Sequence, residues 1–368
     1  MTVVFAGGGT GGHLYPAIAI ADALKERGAT AEFVGTADRL EAKIVPQAGY
    51  TLHAISSRPL SRHVNAELPL TVVANGAGVL QSAALLRRLK PAFVIATGGY
   101  VCFPLVCAAR ALRALALYRG PIALFEPNAK PGLTNRLLAP MVDEIWGAFD
   151  VPDARFRAKY VKTGTPVRAS LRRLPPRDVA AQRLGLNPAR KTLLAMGGSQ
   201  GARAINDALT ALIKSDGLPA GWQLLQVTGE REYERVRAEL GTSDSVVRPY
   251  LNDVSDAYAA ADLVLARAGA STLGELAALG KPAILVPYPH AAEDHQAANA
   301  ERFAAAGAAV TLPDRELVSG RLRFVLAECA EPGQLAAMQA AAAHLSAGDP
   351  VAAIVARVDA LLARKNGS

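Results

Sequence analysis

Two stretches of the chain share one pattern: a strand-like run, a glycine-rich loop and a helix-like run. Residues 3–24 read VVFAGGGTGGHLYPAIAIADAL, and residues 192–209 read TLLAMGGSQGARAINDAL. A strand that leads through a glycine loop into a helix is how a Rossmann-like domain begins. The repeat therefore predicts two Rossmann-like domains. The length of 368 residues agrees with this, since a domain usually takes about 100–200 residues.

Strand-like and helix-like runs alternate along the rest of the chain, which predicts an α/β fold with parallel sheets covered by helices. We expect strands at residues 3–6, 31–34, 93–97, 122–125, 144–146, 192–196, 223–227, 246–249, 263–266 and 283–286. Helices are expected at residues 17–27, 80–89, 105–115 and 133–138. A break near residues 162–168 predicts domains at 1–163 and 164–345, with a C-terminal helix at 346–368 that packs back on the first domain.

Composition excludes several classes of protein. Hydrophobic residues make up 51% of the chain and charged residues 20%, which excludes a disordered protein. The three cysteines, Cys102, Cys107 and Cys329, lack metal-ligand spacing and indicate a reducing compartment. The N-terminus predicts a strand rather than a signal peptide. The longest apolar run, residues 101–109, is shorter than the roughly 18 residues of a membrane span, so we expect a soluble or peripheral protein of the cytoplasm.

Positive charge is concentrated in the first half of the chain. Residues 1–164 carry a net charge of +7, and residues 165–368 carry +1. Residues 58–119 hold eight basic residues and one acidic residue among many apolar ones. Such a stretch is typical of a contact with an anionic membrane surface. Few aromatic residues lie there, so we expect no nucleic-acid partner; an ordinary helix with solvated arginines remains the plain alternative.

The first glycine loop ends in a histidine. Gly7, Gly9 and Gly12 match the G-x-G-x-x-G pattern, but the acidic residue that a dinucleotide site needs after the second strand is not in place. The loop therefore predicts contact with an anion or a sugar. His13 follows at the start of the helix, where the helix dipole disfavours an imidazolium and favours the neutral ring that accepts a proton. The alternative is a histidine that only caps or packs against the loop.

Three segments of the second domain are typical of ligand contacts. Residues 197–202, with Ser199, suit a phosphate at a helix N-terminus. Residues 267–275 follow an apolar strand, and we expect the helix start near Ser271 and Thr272 to bind a diphosphate and Glu275 to accept hydrogen bonds from a ribose. The alternative is a capping box over residues 272–275. The polar cluster at residues 287–299 could bind sugar hydroxyls, or could be a solvated loop.

The chain contains no D-x-D, H-E-x-x-H or C-x-x-C motif. A metal that bridges a nucleotide diphosphate usually requires paired carboxylates. We therefore expect no metal and no cofactor, with backbone amides and helix N-termini neutralising the diphosphate.

These motifs together resemble the MurG family. The matching segments are GGGTGGH at 7–13, GGY at 98–100, TGTPVR at 163–168, GGSQGA at 197–202, RAGASTLGE at 267–275 and HQ at 295–296 with Asn299. The resemblance implies a GT-B fold, two Rossmann-like domains with parallel sheets that face a cleft. It implies metal-independent, inverting transfer of N-acetylglucosamine from UDP-GlcNAc to O4 of the muramyl sugar of lipid I, giving lipid II and UDP. The implied location is peripheral, at the cytoplasmic face of the inner membrane.

The resemblance also implies roles for individual residues. Thr10, Gly11 and Gly12 would lie near the donor sugar and the acceptor, and Asn128 and Ser199 would contact the donor. Arg168 and the backbone around Leu251 would lie near the uracil, and Gln296 would bind sugar hydroxyls. Diphosphate and ribose would be held by Ala270, Ser271, Thr272, Leu273, Gly274 and Glu275. His13 is the candidate base, and Glu126 is the alternative.

Three departures from the family pattern affect the acceptor side. Pro127 stands where the family often has Gln, Thr165 stands where it often has Asn, and Cys102 and Phe103 stand where small polar residues are common. Other functions stay open: a UDP-sugar transferase with another lipid acceptor such as a diacylglycerol, a UDP-sugar 2-epimerase, or a nucleotide-sensing membrane protein without activity. The basic, apolar stretch at 58–119 favours a lipid acceptor over the epimerase.

Overall fold

The computed structural model describes residues 1–60, 67–150, 153–198, 200–240, 245–291, 294–318, 320–345 and 348–366. It divides into two compact units. The first unit comprises Met1–Arg168 and Asp349–Ser368, and the second comprises Ala169–Gly348. The division thus falls at Arg168, where the sequence suggested a boundary after residue 163.

The first unit is built on a seven-stranded parallel sheet. Its strands are β1 (Thr2–Ala6), β2 (Thr30–Gly35), β3 (Thr51–Ala54), β4 (Phe93–Ala96), β5 (Ile122–Glu126), β6 (Glu144–Gly147) and β7 (Tyr160–Lys162), in the order β3-β2-β1-β4-β5-β6-β7. Its helices are α1 (Gly11–Glu26), α2 (Leu40–Gln47), α3 (Leu68–Leu89), α4 (Cys102–Ala114), α5 (Leu133–Leu138) and α6 (Ala154–Arg157).

The second unit repeats this plan with a six-stranded parallel sheet. Its strands are β8 (Lys191–Met196), β9 (Trp222–Val227), β10 (Ser245–Arg248), β11 (Leu263–Ala266), β12 (Ala283–Leu285) and β13 (Ala309–Thr311), in the order β10-β9-β8-β11-β12-β13. Its helices are α7 (Arg177–Leu184), α8 (Arg203–Ser215), α9 (Tyr233–Leu240), α10 (Ser255–Ala260), α11 (Ala270–Leu279), α12 (His295–Ala305), α13 (Asp314–Val318), α14 (Leu322–Ala330) and α15 (Pro332–His344). The last helix, α16 (Pro350–Asn366), returns to the first unit.

The central strands are buried on both faces, as parallel strands between two helix layers must be. In β1, Val3 and Phe5 pack in the cluster that contains α1 and α16, whereas Val4 and Ala6 pack in the cluster that contains α3 and α4. Helix α16 is held on the first unit by apolar contacts and by two ion pairs, Arg357 with buried Glu144 and Arg27 with Asp359.

Helix α3 is longer than the sequence predicted. We expected a helix at residues 80–89, but it begins at Leu68, with Pro69 in its first turn, where proline suits a helix. Gly76 and Gly78 interrupt the apolar pattern of this helix, so the sequence did not indicate a helix before residue 80. By length and composition alone α3 could cross a membrane, which we did not expect from the sequence. In the structure α3 packs against α4, and 28% of its most apolar 18-residue segment is buried.

The strand order reverses once in each sheet, between β1 and β4 and between β8 and β11. Open parallel sheets bind ligands outside the carboxyl ends of the strands at such switch points. In the first unit these ends lead into residues 7–13 and 97–101, and in the second unit into residues 197–202 and 267–271. The glycine-rich loops and the start of the segment 267–275 therefore lie at the two switch points, whereas residues 163–168 and 287–299 follow other strands.

Candidate active site

At the first switch point the two glycine loops are packed directly on each other. The amide of Gly8 donates to the carbonyl of Gly98 at 3.3 Å, and the hydroxyl of Thr97 donates to the carbonyls of His13 and Ala6 at 2.8 and 3.1 Å. A Cβ atom on Gly99 would lie 2.3 Å from the Gly8 oxygen, and its φ is +89°. Only glycine fits this position, because a side chain would meet backbone and would also adopt a disfavoured conformation.

Helix α1 begins at the mouth of this paired loop. Gly11 and Gly12 form its first turn, and Thr10 is the N-cap residue, exposed and without a side-chain capping bond. The first amides of a helix have no partner within the helix and carry partial positive charge. Thr10, Gly11 and Gly12 therefore offer amides and one hydroxyl to a polar group of a substrate.

His13 is half-buried and its ring is oriented by the neighbouring strand. Its Nδ1 lies 3.0 Å from the carbonyl oxygen of Thr97. A carbonyl accepts only, so we assign the proton of the neutral ring to Nδ1, which makes Nε2 the nitrogen that accepts a proton. Gly98 leaves room for the ring, because a Cβ there would lie 2.4 Å from Nδ1. This is the tautomer that a general base with Nε2 as its acceptor requires.

Glu126, the alternative base, is buried at the end of β5 and is 1% exposed. One carboxylate oxygen accepts from the Asn128 amide and Nδ2 at 2.9 and 3.1 Å, and the other accepts from the Gly132 amide and Asn135 Nδ2 at 3.2 and 2.8 Å. Burial raises the pKa of Glu126 to about 7, although these hydrogen bonds favour the carboxylate. Both oxygens thus shape the loop that follows β5, and Asn128 is part of that loop.

Arg168, expected near the uracil, ends the first unit. Its guanidinium lies 4.5 Å from the centre of the Tyr15 ring, which is in α1 two residues after His13. Stacking of a guanidinium on an aromatic face restricts the side chain of Arg168.

At the second switch point the feature typical of an anion site is the start of α11. The helix begins at Ala270 after Gly269, which supplies no side-chain cap. Among the residues that the structure describes, the buried hydroxyl of Ser271 has no hydrogen-bond partner, although buried polar atoms usually have one. An orphan hydroxyl beside uncapped amides suits a phosphate oxygen. The capping-box alternative for residues 272–275 is wrong, because Thr272 lies inside the first turn and not at the N-cap.

The remaining residues of this segment differ in what they offer. Leu273 and Gly274 are buried, and the amide of Leu273 donates within the helix to the carbonyl of Gly269 at 3.0 Å. Glu275 is 7% exposed, and one of its oxygens accepts a 2.7 Å hydrogen bond from the hydroxyl of Tyr258 in α10. Tyr258 therefore fixes the direction of the carboxylate that we expected to contact the ribose.

Other expected donor contacts are spread around the second sheet. The side-chain oxygen of Gln296 accepts from the amide of Tyr288 at 2.9 Å and so closes the loop between β12 and α12. Buried Asn299 donates to the carbonyl of Ala268 at 3.2 Å. Leu251 follows the edge strand β10 and is half-buried. Ser199 lies outside the described residues.

Several residues of the site escaped the sequence analysis because their contacts join distant segments. Arg267 pairs with Asp314, donates to the carbonyls of Val286 and Pro287 at 3.3 Å each, and lies 5.4 Å from the Tyr288 ring centre. Thr97, Tyr258 and buried Glu41 also support the loops. Arg267 begins the segment 267–275 that the sequence already indicated, but its contacts, like those of the other three residues, had no sequence signal beyond proximity to a strand end. Within the described part of the chain, no group of three or more His, Cys, Asp or Glu residues could hold a metal ion.

Comparison with known proteins agrees with this architecture. The profile of the glycosyltransferase family 28 N-terminal domain matches residues 3–146, and that of the C-terminal domain matches residues 192–356. A protein of Moorella thermoacetica is 44% identical over 369 aligned positions, which cover 96% of this chain and 97% of that protein. Its name is UDP-N-acetylglucosamine--N-acetylmuramyl-(pentapeptide) pyrophosphoryl-undecaprenol N-acetylglucosamine transferase.

Two solved structures show the same fold at low identity. The crystal structure of Acinetobacter baumannii MurG has a TM-score of 0.74 at 24% identity and covers 97% of this chain and 99% of its own. A Listeria monocytogenes protein described as a putative UDP-N-acetylglucosamine 2-epimerase has a TM-score of 0.65 at 13% identity, with 97% and 95% covered. The prediction of two Rossmann-like α/β domains with parallel sheets is thus confirmed, and a MurG structure and that of a putative epimerase share this fold. The two profile matches and the full-length similarity establish that the chain belongs to glycosyltransferase family 28.

Proposed function

We propose that this chain transfers N-acetylglucosamine from UDP-GlcNAc to O4 of the muramyl sugar of an undecaprenyl-linked acceptor, lipid I, in peptidoglycan synthesis. The observation that carries the proposal is the 44% identity, over nearly the whole of both chains, with a relative named for this transfer. A fold shared with an epimerase does not by itself separate the two activities. The full-length similarity favours the transferase.

The second unit would bind the donor. The uncapped start of α11 and the partnerless Ser271 hydroxyl suit the diphosphate, and their positive potential would stabilise the charge that develops on UDP as it leaves. Glu275, held by Tyr258, would accept hydrogen bonds from the ribose hydroxyls. Neutralisation by backbone dipoles would make the transfer independent of a metal.

The first unit would carry the acceptor chemistry. His13, oriented through Nδ1 by the Thr97 carbonyl, would take the proton of the attacking hydroxyl at Nε2. The hydroxyl oxygen would displace UDP from the anomeric carbon in one step and so invert that centre. Glu126 fits the role of a positioning residue better than that of the base, because both of its oxygens accept hydrogen bonds from its own loop.

The first unit would also meet the membrane. Helix α3 exposes Leu70, Val72, Val73 and Leu80, and Leu115 and Leu117 follow α4. Exposed Arg87, Arg88 and Arg110 lie on these two helices. Apolar side chains beside arginines suit the surface of an anionic bilayer. Arg113 has another role, because it forms a salt bridge with Asp143 and donates to the Gly120 carbonyl.

The deciding experiment is turnover of UDP-GlcNAc by the purified chain with and without lipid I. We expect UDP release and a GlcNAc-bearing lipid only when lipid I is present, and the same rate in excess EDTA. Conversion of UDP-GlcNAc to its 2-epimer without a lipid would identify an epimerase. Transfer to a diacylglycerol but not to lipid I would identify a different lipid glycosyltransferase.

A further inference from the structure

Beneath the first glycine loop lies a carboxylate that the reaction does not use. Glu41, in the first turn of α2, is fully buried at 0% exposure. Within the described part of the chain no Lys or Arg forms an ion pair with it. A buried charge without a cation must be compensated by hydrogen bonds. The donors that surround Glu41 therefore indicate its role.

Those donors come from three segments. One oxygen of Glu41 accepts from the amide and the hydroxyl of Thr36, at 3.1 and 2.8 Å. The other oxygen accepts from the amide of Gly9 at 3.1 Å. The hydroxyl of Tyr100, in the second glycine loop, lies 3.4 Å from the first oxygen and 3.2 Å from the Thr36 hydroxyl. One carboxylate thus joins the end of β2 to both glycine loops.

We propose that Glu41 is a positioning residue that sets the path of the first glycine loop and thereby the placement of Thr10 and His13. Gly9 is exposed, has a φ of +83°, and precedes the N-cap of α1 by one residue. The hydrogen bond from its amide to Glu41 connects this exposed turn to the buried interior. A Cβ on Gly8 would lie 2.9 Å from the same carboxylate, so the loop lies directly on it.

The carboxylate cannot be replaced by an amide. The two backbone donors, Gly9 and Thr36, reach different oxygens, and a glutamine has only one acceptor oxygen. In Glu41→Gln one of these amides would face an NH2 group, whichever way the side chain turned. Volume is preserved, so the variant tests the hydrogen bond and not the packing.

The activity test rests on the proposed function. We expect Glu41→Gln to lower kcat for transfer to lipid I roughly 10- to 100-fold, the scale of a small displacement of a catalytic group. The KM for UDP-GlcNAc should stay within about twofold, because the proposed diphosphate and ribose contacts, at residues 270–275, lie in the second unit. The matched control is Glu144→Gln, another buried carboxylate of the same unit, which accepts from Trp146 and Arg357 at the amino end of β6. The control should keep its kcat; an equal loss in both variants, or no loss in Glu41→Gln, would overturn the proposal.

A second readout needs neither activity nor a variant. Although Gly9 is exposed, its amide should exchange hydrogen slowly in the wild-type chain, because the amide donates a hydrogen bond to Glu41. Exchange at single-residue resolution, by mass spectrometry with fragmentation, should show Gly9 to be protected as well as Thr36. Rapid exchange at Gly9 would refute the positioning role even in a chain that proved inactive on lipid I. Protection in such an inactive chain would retain the loop contact and reject only the proposed function.

Discussion

The strand order reverses in the same way in both sheets, but the residues at the two switch points differ in their hydrogen bonding. In the first unit two side chains hold the loops after β1 and β4: the Thr97 hydroxyl donates to the His13 carbonyl, and Glu41 of α2 accepts from the Gly9 amide. The carbonyl of Thr97 orients the His13 ring. Both α1 and α11 begin without a side-chain cap, but in the second unit the buried hydroxyl of Ser271 also lacks a hydrogen-bond partner among the described residues. The first site holds its candidate base through a hydrogen bond, and the second has an unused hydrogen-bonding group beside its helix start.

This difference corresponds to two tasks. Proton transfer needs one side chain held at a fixed geometry, which a network of satisfied hydrogen bonds provides. Diphosphate binding needs donors that are completed only by the ligand. Substitutions at the first switch point should therefore lower kcat, and substitutions at the second should raise the KM for the donor.

The largest effect is expected at His13. His13→Ala should lower kcat roughly 10²- to 10⁴-fold, the usual scale for a positioned acid–base group, with little change in the KM for UDP-GlcNAc. Steady-state kinetics with saturating lipid I would measure both constants.

His13→Gln is the matched variant, because an amide can hydrogen-bond the acceptor hydroxyl but cannot take its proton. It should be as slow as His13→Ala. A near-normal kcat for the glutamine variant would show that His13 only positions the acceptor. A raised KM for the donor with a normal kcat would show that His13 binds the donor.

The next effect concerns the charge difference between the units. Replacing Arg87, Arg88 and Arg110 together by glutamine should weaken binding to anionic vesicles roughly 100-fold, at about 1 kcal/mol for each charge near the surface. Added salt should weaken wild-type binding in the same direction. Cosedimentation with vesicles of defined anionic content would measure this.

The control is a triple substitution in the second unit, of Arg183, Arg203 and Arg237. Their side chains are 60%, 76% and 62% exposed, so the same charge is removed from an exposed surface. Equal weakening by both triples would indicate that net charge, and not the face formed by α3 and α4, governs membrane binding.

A smaller effect is expected at Glu275. Loss of a charged hydrogen bond to the ribose costs on the order of 1.5–3 kcal/mol, so Glu275→Ala should raise the donor KM roughly 10- to 100-fold and leave kcat nearly unchanged. Tyr258→Phe is the control, because it removes the partner hydroxyl and keeps the carboxylate. If Glu275→Ala only lowers the melting temperature, the carboxylate serves α10 and α11 and not the donor.

The sequence predicted the inner strands of each sheet and the edge strand β10 well, but it missed the other three edge strands. Strands β1, β4, β8 and β11 lie within a residue or two of their expected bounds, because strands buried on both faces have continuous apolar runs. Strands β3, β7 and β13 were missed. All three are edge strands of three or four residues with half-exposed side chains, so their sequences carry little apolar signal.

The same limit applies to the site. Glycine loops are visible in a sequence because a turn needs its glycines next to one another. Glu41 lies 32 residues from Gly9, and Thr97 lies 84 residues from His13, so these contacts exist only once the sheet has formed. The capping box at residues 272–275 shows that a local pattern can also be wrong. The residue types fit a capping box, but the helix begins earlier, after Gly269.

The last prediction separates Glu126 from His13 within the first unit. Burial raises the pKa of Glu126 from 4.5 to about 7, so the folded state binds a proton more tightly than the unfolded chain. The stability that this group contributes is fully present below about pH 4.5 and is lost as pH rises through about 7. The free energy of unfolding of the wild type, relative to Glu126→Gln, should therefore fall across this window by no more than about 1.4 kcal/mol per pH unit. Urea unfolding at several pH values would measure the slope. The kcat of Glu126→Gln should fall no more than roughly 10- to 100-fold, the scale of a positioning residue, because its oxygens hold the loop through Asn128, Gly132 and Asn135 and do not take the acceptor proton. A loss as large as that of His13→Ala, with a flat stability difference, would instead make Glu126 the base and leave His13 to position the acceptor.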